Sequence, residues 1–324
     1  MSIHSRPMLA RDVRGCVDVI AAHPIVGRRY AETISQLSDA WLHCLGSNAF
    51  HGRTFEDISG SHVRLLGAGV RAFVSDAFMR EVKTPPFFWY GPELARRITS
   101  GNSPLLSDKE VRDANSSGGL NLLVWEGCIS LEDSGRPELH REMGDAVMAD
   151  HRGFLIKEYV VQAAVPDVLH VLTNAGACAV DKNGRYAAFG KEDVLDLFQR
   201  PHVIGWTREL AIGEMGAWLS NLFVYDAPRF ELRPSEQKLL LAALTGATDD
   251  ALCDELRVSR SAIKKTWQTI YERVAARDSK LIPELLTHDD ATKRGKQKKH
   301  RLLAYLRDHP EELRPVSRRL RGSE

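Results

Sequence analysis

Along the first 225 residues, apolar positions switch between helical and strand spacing. In residues 10–22, Val13, Val17 and Ile20 recur every three or four positions, and in residues 30–45 Tyr30, Ile34, Leu37, Trp41 and Leu45 do the same. Both spacings predict amphipathic helices. Residues 63–66, 70–74 and 120–125 are short apolar runs of the kind that form buried strands. Residues 177–180 and 185–189 flank Asp181-Lys182-Asn183-Gly184. Asn-Gly between apolar runs predicts a hairpin, because both residues accept positive φ. Further helices are predicted over residues 191–199 and 207–219, the second with Leu210, Met215 and Trp218 inward. The expected class for this part is α/β, a mixed α+β sheet domain.

The character changes at Tyr225-Asp226-Ala227-Pro228. Beyond it no strand pattern recurs, and residues 228–277 predict three helices. The first starts at Pro234, where a missing N–H is harmless. It turns Leu239, Leu240 and Ala243 inward and stops at Gly246. Thr248 is the N-cap of the second, with Asp249 and Asp250 at the positive end of its dipole and Ala251, Leu252 and Leu256 as its apolar residues. Arg257-Val258-Ser259 connects it to a third helix, capped by Ser259. The stripe there is Ile263, Trp267 (or Thr266), Ile270 and Val274, and the opposite face carries Arg260, Ser261, Lys264, Lys265 and Gln268. Two readings fit. One is a helix-turn-helix whose third helix enters a major groove, Lys bonding guanine or phosphate and Gln bonding adenine. The other is a plain three-helix bundle with a solvated Lys-Lys face.

Composition narrows the classes. The chain has 324 residues, 43% hydrophobic and 27% charged, which is globular composition of about two domains. No apolar run approaches the ~18 residues of a membrane span, and charges interrupt the N-terminus where a signal peptide needs an apolar core. A cytoplasmic location without membrane contact is expected. Cys16, Cys44, Cys128, Cys178 and Cys253 lie far apart and form no CxxC, which argues for buried thiols rather than disulfides or zinc. The net charge of +1 hides an asymmetry: residues 1–227 carry −5 and residues 291–324 carry +7. A basic end on an acidic body suits an anionic partner. Within that end, Lys293, Arg294, Lys296, Lys298, Lys299, Arg301, Arg318, Arg319 and Arg321 surround the apolar Leu302, Leu303 and Leu306. This extension, residues 278–324, reads as extra phosphate contact, as a dimer helix, or as a solvated tail.

Residues 230–274 resemble the C-terminal DNA-binding domain of LuxR-type transcription regulators. The resemblance runs without a gap over Leu232, Pro234, Glu236, Leu239, Leu240, Gly246, Thr248, Leu252, Leu256, Val258, Ser259, Ile263-Lys264 and Ile270-Tyr271. It implies double-stranded DNA as a partner and an all-α helix-turn-helix domain after the α/β one. Carried over by position, Lys264, Lys265 and Gln268 lie nearest the bases. Thr248, Arg260, Ser261 and Thr266 meet phosphates, and Ser259 seats the reading helix. Ser261 and Ala262 stand where the family often has Arg and Thr, and Trp267 replaces an aliphatic residue. Loss of that Arg puts one phosphate contact in doubt.

The first 225 residues carry neither the acidic set of a phosphoreceiver nor, in order, the Trp/Tyr/Asp pattern of acyl-homoserine-lactone sensors. A fainter resemblance is to GNAT acyltransferases. The stretch PMLARDVRGCVDVIAAHP looks like the first strand and helix of that fold, and GDAVMADHRGFLIKEY like its late helix and strand. The Arg/Gln-x-x-Gly-x-Gly/Ala pyrophosphate cradle is missing. The nearest candidate, Gly67-Ala68-Gly69-Val70-Arg71, sits in a strand-like run, where a strand kink explains the glycines better. Glu126 and Glu158 are candidate bases, His140 with His151 and His288-Asp289-Asp290 candidate ligands, and Phe87-Phe88-Trp89-Tyr90 a candidate pocket wall or core plug. None lines up with a nucleophile, so no catalytic residue, metal or cofactor is assigned.

The expectation is a DNA-binding transcription regulator acting as a homodimer. Residues 1–225 would form a sensory or assembly domain, open to a small-molecule effector or acyl-CoA. The alternative is an acyl-CoA-dependent GNAT-like acyltransferase with a DNA- or partner-binding appendage. A third reading has the C-terminal helices bind a protein partner.

Overall fold

A computed structural model describes residues 3–60, 62–163, 172, 176–181, 183–187, 201–213, 218–244, 246–282 and 291–317. The chain divides into two compact units, Met1–Val224 and Tyr225–Glu324.

The first unit is a mixed α/β structure around one eight-stranded sheet of order β1-β2-β3-β4-β5-β8-β6-β7. The strands are β1 (Ile3–Pro7), β2 (Phe50–Asp57), β3 (Arg64–Val74), β4 (Leu120–Ile129), β5 (Ile156–Ala163), β6 (Cys178–Val180), β7 (Tyr186–Ala187) and β8 (His202–Thr207). The β4–β5 pair is parallel and the other neighbours are antiparallel. The helices are α1 (Val13–Ala22), α2 (Val26–Arg29), α3 (Ile34–Cys44), α4 (Asp76–Val82), α5 (Tyr90–Thr99), α6 (Asp108–Ser116), α7 (Pro137–His151) and α8 (Arg208–Gly213).

Strand alternation feeds both faces of the sheet. Val70, Ala72 and Val74 pack with Val17, Trp41 and Leu94 of α1, α3 and α5. Phe73 points the other way, to Leu122, Phe154, Val111 of α6 and Ala211 of α8. Because β4 and β5 are parallel, a crossover must join them, and α7 supplies it. Their register runs from Leu120↔Ile156 to Val124↔Val161. Past Val124, β4 pairs only with β3, so the parallel pair opens.

Several expectations need correcting. Residues 30–45 do not form one helix: α2 ends before Tyr30, and α3 begins only at Ile34. Residues 63–66 and 70–74 belong to a single strand, β3, with a bulge at Val70/Arg71. The Gly67-Ala68-Gly69 run lies inside that strand. A Cβ at Gly67 would lie 2.5 Å from the Cys128 carbonyl oxygen, so close strand approach, not phosphate binding, accounts for that glycine. Residues 207–219 hold a strand end, the short α8 and the start of a 3-10 segment over Trp218–Phe223. Leu210 is 41% and Trp218 45% exposed, and Ala211 is the residue that turns inward. The hairpin forms between β6 and β7. The helix over residues 191–199, Met215, His288-Asp289-Asp290, and Arg318, Arg319 and Arg321 fall outside the described residues.

The second unit contains α9 (Pro234–Leu244), α10 (Asp249–Leu256), α11 (Arg260–Arg277) and α12 (Ala291–Asp308). No strand occurs among its described residues. One core joins them, built from Phe230, Leu232, Leu239, Leu240, Leu252, Ile263, Trp267, Ile270, Val274, Leu302, Leu303 and Leu306. Leu302, Leu303 and Leu306 are thus interior residues of this unit, which corrects their reading as a dimer surface. The buried Glu312 carboxylate accepts from the backbone N–H groups of Arg229 and Phe230 and ties the two ends of the unit together.

Candidate nucleic-acid interface

The segment from α9 to α11 is built from local signals. Pro234 opens α9, and the Glu236 carboxylate reaches back to accept from the Arg233 N–H at 2.6 Å. Gly246 then takes φ +88, a conformation open to glycine and costly for other residues. The Thr248 hydroxyl accepts from Ala251 N at 3.2 Å and caps α10. Arg257 closes α10 in the left-handed region at φ 53, and Val258 N donates to Cys253 O. This tight reversal lets Ser259 start the next helix two residues later, its hydroxyl accepting from Ala262 N at 3.2 Å.

The resulting α11 has 18 residues, about 27 Å at 1.5 Å per residue. Ile263, Trp267, Ile270 and Val274 are buried. Arg260, Ser261, Lys264, Lys265 and Gln268 are exposed. From Ser259 to Tyr271 there are three cations and no carboxylate. Lys264 and Lys265 have no acidic partner among the described residues. The rod is therefore apolar on one side and cationic on the other, of a width that a ~12 Å major groove admits.

The expected DNA-contacting residues are not equivalent. Arg260 is 77% exposed at its side chain, with Asp250 3.9 Å away. Ser261 shares a 2.9 Å hydroxyl contact with Ser259. Thr266 lies on the flank of α11, half-buried, and donates to Ala262 O at 2.9 Å. Thr248 and Ser259 use their oxygens as caps, which leaves the Thr248 O–H proton able to donate outward, while Ser259 shares its hydroxyl with Ser261. Gln268 donates to Glu272 at 3.0 Å, so its amide is already engaged. Sequence reasoning missed that carboxylate, although its i+4 spacing from Gln268 was a usable signal. It placed Lys299 in the basic extension but missed its contacts: the amine lies 2.9 Å from Asp249 and 5.0 Å from the Trp267 ring centroid. No local pattern joins positions 50 residues apart.

The candidate groups of the first unit are engaged elsewhere. Glu126 pairs with Arg29 at 3.3 Å, and Glu158 accepts from Lys83 and Tyr186. His140 is exposed and contacts Ser134 O, whereas the fully buried His151 contacts Val147 O. Burial holds the His151 pKa well below the usual imidazole range. In the aromatic run, Phe87 and Phe88 pack against the core. Tyr90 fills the opening between β4 and β5: its hydroxyl donates to Val124 O at 2.7 Å and accepts from Gln162 N at 2.8 Å. The loop before α7 holds a carboxylate of the chain itself. Asp133 is buried and accepts from Arg64, Ser130 and Arg136, and the Arg64 hydrogen bonds hold its pKa well below the usual carboxylate range.

No protein-family model and no curated protein matches the chain. Among solved structures it is similar to histone acetyltransferase HPA2 and related acetyltransferase from Corynebacterium glutamicum, at 11% identity and a TM-score of 0.38. It is also similar to a chimera of spermidine N-acetyltransferase SpeG from Vibrio cholerae and hSSAT, at 12% identity and a TM-score of 0.36. Each match covers 64% of this chain and 96% of the other. Likeness at this level transfers no activity.

Proposed function

We propose that this chain is a DNA-binding transcription regulator that reads the major groove with α11 as the recognition helix of a LuxR-type helix-turn-helix. The observation that carries the reading is the exposed Arg260, Lys264, Lys265 and Gln268 face on a helix seated by the Ser259 cap. Lys264, Lys265 and Gln268 contact bases, and Thr248, Arg260 and Ser261 contact phosphates. Thr266, bonded within its own helix, is the weakest member of that set. The protein acts as a homodimer, because one such module buries too little surface for high specificity and two-fold proteins suit palindromic half-sites. The first unit senses a ligand or assembles the dimer.

The test is selection of bound genomic fragments by the purified chain, repeated with Lys264→Ala/Lys265→Ala. The expected result is a recurring half-site for the parent chain and a weakened, relaxed preference for the variant. Unchanged affinity and preference would remove α11 as the reading element.

A second reading, an acyl-CoA-dependent GNAT-like acyltransferase, is favoured by the parallel β4–β5 pair that opens past Val124. An opened pair offers unpaired backbone groups to an extended ligand arm. Against it stands Tyr90, which already bonds those groups. A rise in melting temperature with acetyl-CoA would support a CoA site, and turnover with an amine would make the unit an enzyme.

A further inference from the structure

The basic stretch at the start of α12 is not a tail trailing from the second unit. Leu302, Leu303 and Leu306 fix one face of that helix in the core. One turn earlier, Lys299 reaches across to Asp249, the first residue of α10, and lies over the Trp267 ring of α11. Lys299 thereby ties the middle of α12 to the start of α10 and the middle of α11. Residues 291–301 carry six cations and no carboxylate. Lys298 is part-exposed and Arg301 exposed, and neither has an acidic partner among the described residues.

The Lys299 contact also changes the charge at the start of α10. Thr248 there offers a hydroxyl to a phosphate, but Asp249 and Asp250 next to it would repel one. Lys299 pairs with Asp249, and Arg260 faces Asp250 at 3.9 Å. Each of these carboxylates faces a cation, so the negative charge at the start of α10 is offset.

We infer that α12, through Lys298 and Arg301, forms a second phosphate-binding track that grips the DNA backbone beside the groove occupied by α11. The inference rests on the DNA-binding reading above. The track supplies affinity and no sequence preference, because phosphates present the same charge at every step.

The test uses the full chain, a duplex selected from genomic DNA and a random-sequence duplex of equal length. Binding of both is followed by fluorescence anisotropy from low to high salt, for the parent chain and for Lys298→Gln/Arg301→Gln. The expected result is an equal fold-loss on both duplexes and a salt slope shallower by about 1.8, at ~0.9 per lost phosphate contact. Thermal melting checks folding, and a photo-crosslinker carried at position 298 should label the duplex. If the parent chain binds DNA while the variant keeps its slope and position 298 fails to label, the track is wrong and the recognition helix stands. If the parent chain binds neither duplex but binds anionic phospholipid vesicles, both readings fall.

Discussion

The Tyr90 hydroxyl closes the β4–β5 opening by donating to the Val124 carbonyl at 2.7 Å. The same oxygen accepts from Gln162 N, and the Gln162 side chain returns bonds to Tyr90 N and Phe88 O. Tyr90 and Gln162 are both buried, so removing the hydroxyl strands a donor and an acceptor away from water. Tyr90→Phe is expected to cost about 1–3 kcal/mol. Urea unfolding should show the lower midpoint, and amide hydrogen exchange should quicken at Gln162. An unchanged exchange rate there would mean that water replaces the hydroxyl, leaving the opening accessible to a ligand.

Ser259 separates the folding role of the α11 start from its electrostatic role. Ser259→Ala removes the cap to Ala262 N and is expected to cost about 1 kcal/mol. Ser259→Asp keeps a capping oxygen and adds a negative charge at a favourable helix end, so the melting temperature should hold or rise. On the DNA-binding reading proposed above, affinity should fall nonetheless, because the new charge would face the phosphates. Should affinity follow stability across the two variants, the start of α11 is structural and does not meet the backbone.

The second unit was more legible in the sequence than the first because its elements end on short-range chemistry. Pro234, Gly246, Thr248 and Ser259 each fix a boundary through a bond or dihedral within a few residues. The Ile263, Trp267, Ile270 and Val274 stripe follows helix period alone. In the first unit, α5 was missed because the aromatic run Phe87-Phe88-Trp89-Tyr90 masks its start. The helix read over residues 207–219 failed because β8 and α8 adjoin without a break at Thr207/Arg208. The corresponding boundary signal is the Thr207 hydroxyl, which accepts from Leu210 N. The Lys299–Asp249 and Tyr90–Val124 contacts join distant positions, and no pattern along the chain encodes them.

Glu272 restrains Gln268 by accepting from its amide at 3.0 Å. A glutamine that reads adenine needs both its donor and its acceptor free toward the base edge. Glu272→Ala is expected to release the amide and remove a carboxylate from the exposed face. On the DNA-binding reading proposed above, affinity should rise, with a gain at one base-pair position beyond the uniform gain from lost repulsion. A panel of duplexes varied one base pair at a time measures this. A purely uniform gain would show that Gln268 reads no base.

Asp150 ties the first unit's acid sensitivity to a buried arginine. It accepts from Arg53 at 2.7 Å and from Arg71 at 2.8 Å, and the Arg71 side chain is only 2% exposed. Burial pushes the Asp150 pKa up, but the Arg53 hydrogen bonds and the charges of Arg71 and Arg53 pull it down by more, to well below its usual 3.8. A carboxyl whose folded pKa lies below its unfolded one binds fewer protons when folded. Its stabilisation is complete above the unfolded value and is lost as pH falls toward the folded one. Asp150→Asn leaves two neighbouring cations facing no charge and is expected to cost about 3–5 kcal/mol at neutral pH. The gap between parent and variant should persist at pH 5 and shrink below about pH 4. Urea midpoints at pH 7, 5 and 3 measure it, and a gap as wide at pH 3 as at pH 7 would show that the carboxylate charge is not what holds Arg53 and Arg71 in place.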